Sequence, residues 1–432
     1  MFMIHNASEL FHGFSRLSRE ERFERLINMG ALSLDDVNYL SSNGIKDMNL
    51  AEKLIENVIG YFQLPLGVAT NFRIDGEDYV IPLAVEETSI IAALSKSAKW
   101  IRQKGEICTW ITGEGILGQI QLSEVKDFET FSAIFAQNKT FLIEKANEDV
   151  AFNMVKRGGG VMDLQLRQVK KPDGSNMAVI HLIMNSCDAM GANIINQVLE
   201  YLKNPIEHLS GEKVTMCILS NLNDQKLTTA KVTLHHVEPE LGKRIEDASI
   251  FAETDPYRAA THNKGVMNGI DPVLIATGND WRAVEAGVHA YAAHEGHYKA
   301  ITRWRYENHV LTGELTAPLI VGTVGGVTSL HPTAKMALRM MGVESANQLS
   351  RVVAAVGLVQ NLGALRALCT EGIIQGHMKL HIDNLLLVAG ANEQEMPLLK
   401  QHLQDCLTIN KRVSVNHAQD LLAEIRRVQS TL

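Results

Sequence analysis

The chain of 432 residues has few cysteines, no excess of positive charge and no long apolar run. The net charge of −8 argues against nucleic acid or an anionic membrane as the main partner. The longest uncharged, apolar-rich run, 352–365, is too short to span a membrane and predicts a buried helix. The cysteines are odd in number and form no CxxC pair, which is typical of reduced thiols in the cytosol. They are Cys108, Cys187, Cys217, Cys369 and Cys406.

The N-terminal sequence MFMIHNASELFHGF lacks the basic start and the apolar stretch of a secretory signal. We therefore expect a cytoplasmic protein whose ligands are small molecules. Its length exceeds what one hydrophobic core usually supports, which predicts two or three domains.

Hydrophobic period and turn residues predict a mixed α/β fold of the α+β kind. Ser18 with Glu21 forms a capping box that predicts a helix, Ser33 starts a second one, and a third carries ENVIG. Alternation in FRIDGEDYVIPLAV, with Asp75-Gly76 at its turn, predicts a β-hairpin that leads to Glu86-Glu87.

The order of elements after this hairpin predicts a small domain inserted into a larger one. From residue 111 the order is β-α-β-β-α-β, which is that of a ferredoxin-like unit. We expect a large domain at 1–110 and 222–373, an inserted cofactor domain at 111–221, and a mobile C-terminal helical flap at 374–432.

Two glycine patterns compete as nucleotide sites. GEGILG, with Gly113, Gly115 and Gly118, matches GxGxxG in letters, but a strand follows it where a dinucleotide site needs a helix. DAMGAN lies between a predicted strand and a predicted helix, so its backbone N–H groups can face a pyrophosphate. The alternative is that Asp188 only caps this helix. GTVGG, at 322–326, is a further but less specific turn.

The segment 255–280, DPYRAATHNKGVMNGIDPVLIATGND, is rich in polar and ionisable residues and has too few apolar positions for a core segment. Such a segment usually lines a site, although an exposed polar loop is the simpler alternative for any lysine. Lys264, set among amides and carboxylates, can hold a developing oxyanion. The polar residues are Arg258, His262, Asn263, Lys264, Asn268, Asp271 and Asp280.

Metal sites are not supported by spacing. HEGH at 294–297 has Tyr298 where an HExxH motif needs a second histidine. His377 and His381 lie one turn apart without an evident third ligand. We therefore expect no metal. His377 follows Gly376 at the start of the flap, a position that suits a proton donor brought in by closure.

DPYRAATHNKG, ATGNDWRA, DAMGAN, ENVIG and VEETS together resemble class II 3-hydroxy-3-methylglutaryl-coenzyme A (HMG-CoA) reductase, the soluble bacterial type. The resemblance covers nearly the whole chain. It implies reduction of the HMG-CoA thioester to mevalonate and CoA with two NADPH or NADH, or the reverse oxidation in mevalonate catabolism. It also implies a homodimer, or a higher assembly of dimers, with the active site at the subunit interface.

The resemblance implies a role for each matching residue of this sequence. The catalytic set is Glu87, Lys264, Asp280 and His377, supported by Asn221; substrate binding falls to Arg258, Ser89 and Asn268; cofactor binding falls to Asp188, Met190, Gly191 and Asn193. Glu87 would be the general acid, Lys264 would hold the carbonyl oxygen, and His377 would protonate the CoA thiolate. Asp280 would support the Lys–Glu network.

Two questions stay open at the level of sequence. NADH-preferring relatives carry an acid where this chain has Ala151, so Lys156 or Arg157 could pair with the 2′-phosphate of NADPH, whereas Asp149 keeps NADH possible. Ser15 stands where some relatives place a CoA-contacting arginine, with Arg16 beside it. A divergent acyl-CoA-binding relative without catalysis is the alternative to an enzyme, and replacement of a catalytic residue would favour it.

Overall fold

The structure is a computed structural model that describes residues 11–370, 372, 382–410 and 413–429. Its first half contains, in order, a 3-10 helix at Phe14–Arg16, α1 Arg19–Asn28, α2 Leu34–Ser41, α3 Met48–Leu54, β1 Leu66–Ile74, β2 Glu77–Ala84, α4 Ile90–Lys104, β3 Gly105–Thr112, β4 Ile116–Leu122, α5 Phe128–Asp149, α6 Phe152–Val155, β5 Gly160–Lys170, β6 Asn176–Asn185, α7 Ala192–Ser210 and β7 Met216–Leu219. The second half contains β8 Leu227–Leu234, α8 Pro239–Thr254, α9 Pro256–Ala276, α10 Trp281–Ala292, β9 Thr302–Glu307, β10 Val310–Ala317, α11 Gly326–Leu330, α12 Pro332–Met341, α13 Ala346–Cys369, α14 at 382–389, α15 Met396–Asn410 and α16 Val415–Gln429.

The N-terminal helices begin where the capping residues predict. The Ser18 Oγ atom accepts from the Glu21 backbone N–H at 3.2 Å, and the Glu21 carboxylate accepts from the Ser18 N–H at 2.7 Å. The prediction of a helix through ENVIG is wrong, because α3 ends at Leu54. Asn57 adopts a φ of 54°, which an α-helix cannot contain.

The predicted hairpin is confirmed: β1 and β2 pair antiparallel and Ile74 lies opposite Glu77 across the Asp75-Gly76 turn. A separate antiparallel sheet has the order β3-β8-β10-β9. Because β3 and β8 are neighbours, the chain between them leaves this sheet and returns to it. That excursion holds the second four-stranded sheet.

The second sheet has the order β5-β6-β4-β7, which is the strand order of the predicted ferredoxin-like unit. Helices α5 and α7 cover one face of it and form a hydrophobic core with that face. The predicted long helix of this unit is interrupted: the Val150 and Ala151 N–H groups both bond the carbonyl of Ala146, which ends α5. The limits given above for the domains stay a prediction.

Helix α13 is the buried centre of the large part of the molecule, as its apolar sequence predicts. It packs against the β3-β8-β10-β9 sheet and against α4, α8 and α9. It is the one helix of the described residues that is long and apolar enough to cross a membrane, and 67% of its most apolar window is buried inside the protein. This extent of burial is typical of a helix in the core of a folded protein.

The segment 255–280 is not a loop, because most of it forms the 21-residue helix α9. Arg258, Lys264 and Asn268 line one face of this helix and the other face is mostly apolar, a separation that a count of apolar residues does not detect. Val266, Ile270 and Val273 are fully buried in the main core. Gly269 lets α13 approach closely, because a Cβ atom there would lie 2.8 Å from Gln360 Cβ. Helix α9 therefore has one face in the core and leaves its polar face to a cleft.

The segment 382–429 is helical in its described residues, as predicted for the C-terminal flap. Helices α14, α15 and α16 share a small hydrophobic core of their own. Whether this segment moves stays a prediction. His377 and His381 lie outside the described residues.

Asp271, on the buried side of α9, faces another acid. Its Oδ1 atom is buried and has no N–H or O–H donor within reach among the described residues. Burial and the neighbouring Glu285 of α10 raise the pKa of Asp271 to about 8. A hydrogen bond between the two carboxyl groups forms only when one of them is protonated. Asp271 therefore joins α9 to α10 and does not line a site.

We expect Asp271→Asn to stabilise the protein above neutral pH. An unfolded aspartate loses its proton near pH 4, whereas folded Asp271 keeps it until about pH 8, so its contribution to stability is present at low pH and is lost as pH rises through this window. Asparagine donates to Glu285 at every pH. The measurement is thermal unfolding of variant and wild type at about pH 5 and about pH 8.5. The melting temperature of the variant minus that of the wild type should be larger at the higher pH, by at least about 2 °C. Exposed Asp247→Asn is the control; an equal offset at both pH values would contradict the shared proton.

Candidate active site

A cleft of about 680 Å³ lies between α4, α9 and α13, a size that suits a small-molecule ligand. Helix α9 supplies one wall at the spacing of a helical face. The proposed-site residues that line it are Glu87, Ser89, Arg258, Lys264 and Asn268. Five of the residues that the resemblance implies are thus brought to one place, from two segments far apart in the sequence.

The Lys264 ammonium donates to the Glu87 Oε2 atom at 3.1 Å. Glu87 comes directly after β2, so the end of that strand delivers the carboxylate, as predicted. The two side chains are 63% and 38% exposed. Within the part of one chain that the structure describes, water therefore reaches this ion pair.

Arg258 lies one to two helical turns before Lys264 on α9. The nearby carboxylate of Asp255 forms no ion pair with it: the Asp255 Oδ1 atom accepts from the Arg258 backbone N–H at 2.7 Å and serves as a helix cap. No carboxylate of the described residues pairs with the Arg258 guanidinium, and its partial burial lowers the pKa of Arg258. The cation is therefore available to an anionic ligand in the cleft.

Ser89 caps α4 in a left-handed conformation, with a φ of 76°. A non-glycine residue in this region stores backbone strain of the kind that often occurs at functional sites. This left-handed conformation turns the chain between Glu87 and α4, so that Glu87 and Ser89 line the same cleft.

Asp280 and Asn221 line a different pocket, of about 350 Å³, together with Met190, Ala192 and Arg282. Asp280 caps α10 by accepting from the Ala283 N–H at 3.2 Å, and the Arg282 guanidinium lies 3.5 Å from the same carboxylate. Arg282 is a site residue to which the sequence reasoning gave no role, although it stands inside the ATGNDWRA motif.

Lys264 and Asp280 do not meet within one chain. Helix α9 continues for twelve residues beyond Lys264, which is about 18 Å at the usual helical rise. The Asn279 N–H then bonds the Leu274 carbonyl, so Asp280 stays at that far end. The distance exceeds what the two side chains can span.

The DAMGAN loop connects β6 to the N-terminus of α7, as predicted. Gly191 is the N-cap, with a φ of 98° and no side-chain cap, so the first N–H groups of α7 are open to an acceptor. The alternative that Asp188 caps α7 is wrong, because its Oδ1 atom accepts from the Ala346 N–H at the start of α13. The GTVGG turn supports the loop: the Thr323 N–H bonds the Asp188 carbonyl at 2.9 Å. This arrangement fits a pyrophosphate.

The residues considered for nucleotide choice lie beside this loop. The Cys187 thiol donates to the Arg157 carbonyl at 3.6 Å, so the turn that carries Lys156 and Arg157 touches the start of the DAMGAN segment. Both cations are exposed. Asp149 bonds Lys145 at 2.8 Å and also accepts from the Tyr201 hydroxyl, so its carboxylate is already occupied.

GEGILG is followed by β4, as predicted, and not by a helix. Among the described residues no three His, Cys, Asp or Glu side chains group as metal ligands. Sequence reasoning missed Lys96, Arg366 and Asn361, which also line the cleft. Arg366 stacks over the Trp100 ring at 4.5 Å. None of the three stands in a motif, so only the fold brings them to the site.

Comparison with known proteins gives one consistent family. The family model described as hydroxymethylglutaryl-coenzyme A reductase matches residues 18–382. The chain is 41% identical over 418 residues to the 3-hydroxy-3-methylglutaryl-coenzyme A reductase of Archaeoglobus fulgidus, covering 96% of this chain and 94% of that protein.

Solved structures agree with the sequence relatives. The 3-hydroxy-3-methylglutaryl-coenzyme A reductase of Streptococcus pneumoniae superposes with a TM-score of 0.81 and 37% identity, over 96% of this chain and 99% of that chain. A class II reductase structure from the same organism, bound to NADPH in open conformations, gives a TM-score of 0.80 and 37% identity over 83% of this chain and 100% of that chain.

Proposed function

Because the chain belongs to the hydroxymethylglutaryl-coenzyme A reductase family, we propose that the Lys264–Glu87 pair is the centre of its active site. The protein is an enzyme that reduces the HMG-CoA thioester to mevalonate and CoA with NAD(P)H. The contact that carries the site assignment is the 3.1 Å hydrogen bond between Lys264 and Glu87 at the cleft.

The chemistry requires two reductions and one departing thiolate. The bound nicotinamide supplies a hydride to the carbonyl carbon in each step. We propose that Lys264 stabilises the developing oxyanion and that Glu87 gives it a proton. His377 would protonate the CoA thiolate after the carbon–sulfur bond breaks. In the direction of mevalonate oxidation the same groups act in reverse order.

The free carboxylate of the acyl group would bind Arg258, supported by Ser89 and Asn268. A guanidinium forms two parallel hydrogen bonds with a carboxylate, and Arg258 has no such partner in the described residues. The carboxylate then anchors one end of the acyl chain, so that the thioester carbon lies near Lys264.

Asp280 completes this site only if a second copy of the chain contributes it. One chain places Lys264 and Asp280 at opposite ends of a helical stretch of about 18 Å. Asp280 also faces the pocket that contains Met190 of the cofactor loop. In the segment after α3, Ile59 is 101% exposed and Phe62 is 91% exposed. Exposed apolar side chains of this kind are typical of a surface that a stable dimer buries. We therefore propose a homodimer with shared sites.

The cofactor would bind with its pyrophosphate at the N-terminus of α7, next to Asp188, Met190, Gly191 and Asn193. The occupied carboxylate of Asp149 and the exposed Lys156 and Arg157 favour NADPH over NADH, because a 2′-phosphate needs cations and no free acid. The five free cysteines suit the cytoplasm, where we place the protein.

We expect Lys264→Ala to lower kcat by about 10²–10³ or more, because Lys264 is the one cation of the described residues that bonds Glu87. The measurement is the loss of nicotinamide absorbance with HMG-CoA. Lys96→Ala is the matched control: it removes a cation from the same cleft that does not bond Glu87, and we expect it to keep kcat. A folded Lys264→Ala enzyme with near-normal kcat would remove Lys264 from the mechanism.

Mixing subunits tests the shared site. A Lys264→Ala chain mixed with an Asp280→Ala chain should regain roughly a quarter of wild-type activity, because half of the dimers are hybrids and each hybrid has one intact site of two. Glu87→Ala mixed with Lys264→Ala is the control, and we expect no recovery, since both residues lie in one chain. If subunit exchange is verified and neither mixture recovers, Asp280 acts within its own chain or not at all.

A further inference from the structure

His262 contains a buried polar atom for which the fold provides no partner. The residue is 2% exposed, lies on α9 between Arg258 and Lys264, and lines the cleft. Its Nδ1 atom is buried and has no hydrogen-bond partner among the described residues. Leaving such an atom unpaired costs stability, so the atom calls for a partner that a ligand can provide.

The tautomer of His262 follows from a chain of hydrogen bonds in the core. The Trp304 Nε1–H, which can only donate, bonds the Asn361 Oδ1 atom at 2.8 Å. This fixes the orientation of the amide, so the Asn361 Nδ2 atom donates to His262 Nε2 at 3.1 Å. Nε2 therefore accepts from this amide. The Thr302 hydroxyl lies 2.5 Å from Nε2 and 3.1 Å from the Asn361 Oδ1 atom, and both are acceptors for its single proton. Burial lowers the pKa of His262 to about 4, so the ring is neutral and its one proton is on Nδ1.

This donor is close to the proposed carboxylate site. Arg258 precedes His262 by one helical turn, and its charge is near enough to contribute to the lowered pKa of His262. Both residues line the cleft, so this turn of α9 places a guanidinium and a neutral, buried N–H in the same wall. A carboxylate accepts from both kinds of donor, whereas a cationic or apolar ligand would leave the Nδ1–H unpaired.

We propose that the His262 Nδ1–H donates to the free carboxylate of the 3-hydroxy-3-methylglutaryl group, and that His262 is a positioning residue for the substrate beside Arg258. The inference rests on the proposed acyl site. Held by two donors on one helix, the carboxylate fixes both the position and the rotation of the acyl chain relative to Lys264. The core network behind His262 holds the ring in one orientation before substrate arrives.

Two substitutions separate this role from a purely structural one. Glutamine places a polar atom near the position of Nε2, so His262→Gln keeps the contact with Asn361 and loses the Nδ1 donor. Asparagine places its amide near Nδ1, so His262→Asn keeps a donor toward the cleft and loses the contacts with Thr302 and Asn361. A structural histidine predicts that glutamine is the milder change in every measurement.

The test is calorimetric binding of two thioesters to the full-length enzyme. HMG-CoA carries the carboxylate, and 3-hydroxy-3-methylbutyryl-CoA has a methyl group in place of the carboxymethyl group. We expect His262→Gln to weaken HMG-CoA binding by about tenfold or more, while its effect on the second thioester stays within about twofold. We expect His262→Asn to bind HMG-CoA more tightly than His262→Gln although it melts at a lower temperature.

Arg258→Ala distinguishes failure of this inference from failure of the site. If Arg258→Ala loses the preference for HMG-CoA and His262→Gln keeps it, His262 does not contact the carboxylate and the acyl site stands. If neither variant changes the preference, the acyl site itself is misplaced. Should His262→Gln fail to fold, His262→Asn decides: because this variant keeps a donor, we expect it to retain the preference for HMG-CoA over the second thioester, and loss of that preference overturns the role.

Discussion

Helix α9 sets the geometry on which every functional group of this enzyme depends. It carries Arg258, His262 and Lys264 in its first half, and the chain reaches Asp280 only after its last turn. A helix with one face in the core cannot bend to bring these groups together. The separation of Lys264 from Asp280 is therefore built into one chain, and a site that uses both is assembled by association and not by folding alone.

The position of α9 in turn depends on polar contacts inside the core. Asn361 of α13 receives the Trp304 indole N–H of β9 and donates to His262 of α9, so one amide joins three elements. The indole fits because Gly313 lies beneath it: a Cβ atom at that position would be 2.3 Å from the ring. These bonds satisfy every polar atom of the network except His262 Nδ1, and they fix one arrangement of the helices, which apolar packing alone does not specify.

Sequence reasoning reached the parts of this structure that local chemistry determines. The capping boxes, the Asp75-Gly76 hairpin, the ferredoxin-like strand order and the buried α13 follow from patterns within a few residues of each other. The alternative of an exposed loop at 255–280 is wrong, because Arg258, Lys264 and Asn268 recur on one helical face, a periodicity that a count of apolar residues does not detect. A cap on the helix next to it was the alternative role for Asp188, but its carboxylate bonds Ala346, 158 residues away, a pairing that no local pattern encodes.

The same distinction holds for the site. The chemistry of Glu87 and Lys264 was readable from residue type and motif, and the fold brings them within 3.1 Å. Their exposure to solvent could not be predicted from the sequence: the side chains of Lys264 and Glu87 are 63% and 38% exposed, so water contacts the pair in one chain. An ammonium stabilises an oxyanion far better once water is excluded, since screening by solvent weakens each interaction. In the proposed site, affinity for the thioester would arise within one subunit at Arg258 and His262, whereas catalysis would require the surfaces of a second subunit that cover Lys264.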